Sequence, residues 1–160
     1  MTSPIIQELD QHDTSSLVAV AGHPIHAMLV TFPIALVTAT LGCDLFYWWW
    51  GDPFWHRAGV WASGFAFWLG ILASMAGTAE LLLVKGIRKR AASWIHAIAG
   101  VTLVSIAGAN WGLRLAHPDA VLPLGLLVSV LGMVFVGLAG WHGGKLVFDH
   151  GIGLMVSGRD

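Results

Sequence analysis

The chain has 160 residues, 56% hydrophobic and only 11% charged, with a mean hydropathy of +0.74. So apolar a composition at this length excludes an ordinary soluble domain, and a formal net charge of −1 leaves no basic field for nucleic acid. The single Cys43 excludes an internal disulfide; without Cys-x-x-Cys or Cys-x-x-Cys-His there is no thiolate zinc site and no covalent haem attachment in this chain.

Residues 1–22 read as a polar tail. They carry Glu8, Asp10 and Asp13 but no Lys or Arg, so no cleaved signal peptide is expected. Ser3 and Pro4 have the order of a cap and a first helical position, which predicts a short surface helix; His12 reads as solvated. Residues 23–150 then hold four stretches of the ~20 apolar residues that a membrane-spanning helix needs. These are residues 24–48, 58–84, 91–115 and 122 to 141 or beyond.

In the first stretch His23 is set to cap, Pro24 to take the first helical position and His26 to fall in the first turn. Pro33 removes a hydrogen bond to Leu29 and predicts a kink. The links WGDPFWHR, KGIRKR and AHPDAVLP are short and polar or turn-rich. Short links force antiparallel neighbours, so the expected fold is all-α: an integral membrane four-helix bundle running up-down-up-down, with residues 151–160 as a C-terminal tail.

Charge asymmetry orients the bundle. Lys85, Arg88, Lys89, Arg90, Lys145 and Arg159 fall on one side, and only Arg57 and Arg114 on the other. By the positive-inside rule both termini and the Lys85–Arg90 link are expected in the cytoplasm. Trp48, Trp49, Trp50, Trp55, Trp61 and Trp111 then form an outer aromatic belt, and Trp94 and Trp141 an inner one.

Antiparallel threading gathers distant polar residues at one depth. His26 opens the first span, Glu80 closes the second, His96 opens the third, and His142 and His150 lie at or past the end of the fourth. Helical phase agrees. Ala73, Gly77 and Glu80 recur by four and three, which turns Glu80 inward. His96, Gly100, Leu103, Ala107, Asn110 and Arg114 form one stripe, and Ser129, Val136, Gly143 and His150 repeat every seven. A lone histidine near an interface needs no more than a carbonyl or a water. The set His26, Glu80, His96 and His150, costly together in lipid, carries the expectation of a bound cofactor. Asp44, Asn110 and Arg114 make a second, outer polar set, in which an Asp44–Arg114 ion pair would be worth little if wet.

HPIHAMLVTFPIAL with Asp44 in the same helix, GTAE ending the second span, RAASWIHAIAG opening the third and GWHGGKLVFDHGIG at the end together resemble a family of small bacterial membrane proteins known as the domain of unknown function DUF2231. The resemblance covers most of the chain after Gly22. It implies a four-helix fold in a bacterial inner membrane. Relatives usually carry an aspartate where this chain has Glu80, and some are joined to c-type cytochrome segments, which implies a redox setting.

Three functions follow from these residues. The first is a b-type haem in electron transfer or in a redox-complex subunit, with axial imidazoles from His96 and His150, His26 as the leading substitute and His142 as the alternative to His150. Arg88, Lys89, Arg90 and Lys145 would meet the propionates, and Gly100, Gly143 and Gly144 would clear space for a flat ring. A quinone, a cytochrome or a larger membrane complex would be the partner beside membrane lipid. A second, outer haem would have to use His56 or His117. The second function is a zinc, iron or copper site built from His26, Glu80, His96 and His150, with His23 or Asp149 orienting a ligand. The third is a cofactor-free accessory subunit docking through its small-residue faces. No HExxH is present, GGKL is not a phosphate loop, and no catalytic residue is assigned.

Overall fold

Turn and cap residues set the helix ends in the computed structural model, which describes residues 15–152. The expected helix at Ser3–Pro4, His12, Arg159 and most of the C-terminal tail lie outside the described residues. A two-residue hairpin comes first, with β1 (Ala19–Val20) paired antiparallel to β2 (His23–Pro24). Its central residues Ala21 and Gly22 both have positive φ, 47° and 79°, as the mirror-image hairpin turns require. Residues 15–22 are therefore folded onto the bundle. His23 sits in β2 rather than capping a helix, and its Nδ1 donates to the Ala21 carbonyl at 2.8 Å.

The first span comprises α1 (Ile25–Leu29) and α2 (Thr31–Trp50), separated at Val30. Pro33 lies in the first turn of α2, where an absent N–H breaks no helical bond, so the expected kink is a break between two helices. Gly51, with φ 67°, ends α2 in the left-handed conformation. Asp52 accepts the Phe54 N–H at 2.8 Å and Pro53 takes the first turn, so α3 (Pro53–Leu83) starts well before residue 58. There follow a short α4 (Lys85–Arg88), α5 (Ala91–Ala116), a 3₁₀ turn (Pro118–Val121) and α6 (Leu124–Phe148).

The first span, α3, α5 and α6 are each long and apolar enough to cross a membrane, and the fold is an integral membrane four-helix bundle. α2 packs on α3 and α6, and so does α5, which leaves the first span and α5 facing across a diagonal. Small residues such as Gly59, Ala66, Ala73, Ala107, Gly125 and Ala139 are buried, whereas Trp48, Trp49, Trp61, Met75, Leu127 and Trp141 point outward. That is the pattern of helices packed in lipid, where close backbone approach rather than apolar burial drives association. Trp111 departs from the expected belt. It fills the groove beside Gly64, where a Cβ would stand 2.8 Å from the indole nitrogen, so it packs α5 onto α3.

Candidate functional site

At one end of the bundle His26 of α1 and His96 of α5 meet across the diagonal, their ring centroids 6.0 Å apart and their planes at 80°. Glycines on the other two helices make room for them. A Cβ on Gly77 of α3 would lie 2.7 Å from His26 Nδ1, and one on Gly143 of α6 would lie 3.0 Å from His96 Cε1. One turn back in each helix a carbonyl completes the seat. His26 Nδ1 donates to Ala73 O at 2.8 Å and His96 Nδ1 to Ala139 O at 3.1 Å. A carbonyl only accepts, so each Nδ1 carries its hydrogen and the neutral ring keeps a lone pair on Nε2. No group among the described residues engages either Nε2.

Of the other sequence-derived ligands, His142 lies within electrostatic reach of His96. The Glu80 carboxylate accepts from Ser16 Oγ at 3.0 Å, Leu17 N at 2.7 Å and Val18 N at 3.1 Å, clasping the segment that precedes β1. His150 lies past the end of α6 in a turn, and its Nδ1 accepts from Arg90 Nη1 at 3.4 Å. The imidazole that meets His96 is His26. His142 is half-buried beside Gly143. Arg88 is exposed and reaches the Leu82 carbonyl at 3.3 Å, Lys89 is exposed, and Lys145 stands 3.9 Å from Asp149 with both side chains about half exposed. Of the expected glycines only Gly143 adjoins a ring; Gly100 and Gly144 face open space. Among the described residues no group of three or more His, Cys, Asp or Glu is placed to hold a metal ion. At the far end His56 rests against Tyr47, ring centroids 5.6 Å apart, and His117 caps α5.

The second polar set closes the far end. Arg114 Nη1 and Nη2 donate to Asp44 Oδ1 and Oδ2 at 2.8 and 2.7 Å, a bidentate pair with side chains 0% and 1% exposed. Arg114 Nε donates to Asn110 Oδ1, Asn110 Nδ2 to Ser129 Oγ, and Ser129 Oγ to Asp44 Oδ2 at 2.6 Å. The expected Asp44–Arg114 ion pair is present, and the condition under which it would be worth little does not hold, because every member is dry and hydrogen-bonded. Beside it a cavity of about 10 Å³, lined in part by Thr40, Ser63, Asn110 and Ser129, has room for one water at most.

These two ends share an internal repeat. His26 and His96, Thr40 and Asn110, and Asp44 and Arg114 are each 70 residues apart. Buried Pro33, Val37, Thr40 and Asp44 of α2 correspond at that spacing to buried Leu103, Ala107, Asn110 and Arg114 of α5. In the partner helices Gly59 and Gly125, Ser63 and Ser129, Ala73 and Ala139, and Gly77 and Gly143 are each 66 residues apart. The bundle is thus two like helical hairpins, and the Ile-His-Ala at Ile25–Ala27 recurs at Ile95–Ala97. Each half supplies one imidazole to a seat on its own second helix.

A family model described as a predicted membrane protein, DUF2231, matches residues 22–155. The chain belongs to that family. No curated protein and no solved structure matches it.

Proposed function

We propose that this chain binds a b-type haem between His26 and His96 and serves electron transfer. The observation that carries the reading is the pair itself: two equivalent imidazoles facing across the bundle at 6.0 Å, each fixed through Nδ1 and unengaged at Nε2. His26 and His96 would hold a haem as a pair, whereas zinc or non-haem iron needs three or four protein ligands, and among the described residues no group of three is placed to supply them. The Ala73 and Ala139 carbonyls would orient the rings and raise their basicity. When bound, the group would supply one-electron chemistry. The donors fit it. Because each ring is lodged in its glycine seat, the flat macrocycle enters only if the two hairpins part at this end.

Lys85, Arg88, Lys89, Arg90 and Lys145 all lie at the histidine end, which favours the cytoplasmic face of a bacterial inner membrane for it. A quinone, a cytochrome or a larger membrane complex would then exchange electrons there. A second reading, a cofactor-free accessory subunit, draws on the same close seating: both rings already have a carbonyl partner and fill their notches.

An absorption spectrum of the membrane-extracted protein decides between them. The haem reading expects a Soret band that sharpens on reduction. The band should vanish in His26→Ala and in His96→Ala and survive in His150→Ala. One equivalent of metal without the band would replace haem by a bare ion. A colourless, metal-free protein that copurifies with a large partner would leave the accessory reading.

A further inference from the structure

The first turn of α5 holds two buried polar atoms without partners. Arg90 Nε and Ser93 Oγ are sealed from solvent and make no hydrogen bond, and Ser93 as a whole is only 3% exposed. Arg90 is the N-cap of α5 and no side chain caps that terminus. Ser93 N donates to the Arg90 carbonyl at 3.1 Å, and the N–H groups of Ala91 and Ala92 stand at the positive end of the helix dipole. Arg90 is half-buried, and among the described residues its one hydrogen bond to a side chain is the 3.4 Å contact to His150, which is no counter-charge. Among the described residues the ion pairs are Arg114 with Asp44 and Lys145 with Asp149, so no carboxylate faces Arg90. Buried donors without acceptors are costly and a half-buried cation without an anion is poorly compensated, and an oxyanion relieves both.

We propose that the start of α5 is an oxyanion site, in which Arg90, Ser93 and the helix N-terminus take a phosphate or carboxylate group. The internal repeat sets the site apart. At the 70-residue spacing the first hairpin has Val20 and His23 where the second has Arg90 and Ser93, so only one side of the bundle carries it. Two sources present an oxyanion at this depth. One is the phosphate of an anionic lipid headgroup, beside Trp94, which is exposed and donates to the Arg88 carbonyl at 2.9 Å. The other is a carboxylate arm of a ring held at His96, because Ser93 and His96 stand one turn apart in α5. The second source rests on the haem reading; the first does not.

The experiment has two arms. In the first, detergent-purified protein is mixed with phosphatidylglycerol or phosphatidylcholine, and retained lipid is read by native mass spectrometry. A lipid source predicts preferential retention of phosphatidylglycerol, weakened about tenfold in Arg90→Gln, less in Ser93→Ala, and unchanged in Lys89→Gln. In the second, cofactor-free protein is titrated with mesohaem and with its dimethyl ester. A cofactor source predicts tighter binding of the free acid, an advantage that Arg90→Gln abolishes. Should Arg90→Gln fail to fold, Arg90→Lys, which keeps charge but loses Nε, and Ser93→Ala carry both arms. A protein that binds neither haem compound yet selects phosphatidylglycerol through Arg90 sinks the haem reading and keeps the oxyanion site. If neither preference depends on Arg90 or Ser93, the two atoms are served by a buried water and the proposal falls.

Discussion

The two ends of the bundle are built from equivalent positions and differ in how far their polar groups are satisfied. At the far end Asp44 and Arg114, one from each half, neutralise one another, and Asn110 and Ser129 take up the remaining hydrogen bonds. At the other end His26 and His96 each spend one nitrogen on a carbonyl and leave one unengaged. A closed network rigidifies; an open one of like groups has capacity for a ligand. The internal repeat puts a pair at each depth, one complementary and the other identical.

Substitution at the closed end should have the largest effect on stability. Arg114→Leu leaves a buried, unpaired carboxylate, so the melting transition in detergent should fall by the equivalent of about 3–5 kcal/mol, with the double variant Asp44→Leu/Arg114→Leu recovering most of it. If Arg114→Leu is neutral, the closed end is not what holds the halves together. Next comes Glu80→Gln, which removes the charge that three donors share. It should weaken protection of the Leu17 and Val18 amides in hydrogen exchange by about 1.5–3 kcal/mol while leaving the far end unchanged.

Gly77→Ala sharpens the contrast from the open end. Its Cβ would stand 2.7 Å from His26 Nδ1, so the ring must move, at about 1–3 kcal/mol in thermal melts. Gly100→Ala, which meets nothing within 4 Å, should cost nothing. Equal losses in the two variants would mean that the glycine seat is not what places His26. The smallest effect belongs to Lys145→Ala, because its pair with Asp149 is 3.9 Å long with both side chains about half exposed. Its melting shift should stay within about 0.5 kcal/mol.

Hydropathy and short links made the four spans legible, and the every-third-or-fourth stripe in α5 read correctly as the buried face through Leu103, Ala107, Asn110 and Arg114. Pairing of Asp44 with Arg114 was also readable, because opposite charges at one depth have few other partners in lipid. The seats of His26 and His96 were not. Their acceptors are backbone carbonyls of Ala73 and Ala139, and a side-chain pattern does not show which carbonyl has a free lone pair beside it. Glu80 was drawn into the histidine set by depth and helical phase; its partners include backbone N–H groups in a segment that reads as a polar tail. The repeat was present in the spacing of Ile-His-Ala and of Ala73–Gly77 with Ala139–Gly143, but the residues between these matches are mostly dissimilar apolar ones.

Gly51 and Asp52 are the whole connection between α2 and α3, and the two helices pack along one another as one piece. Asp44 fastens that piece to Arg114 and Ser129 of the second, far from the imidazoles. The arrangement is a pair of levers on a common fulcrum. His26 lies 18 residues from Asp44 along the first span, an arm of ~27 Å, so a rocking of ~5° at the fulcrum separates the tips by ~2 Å.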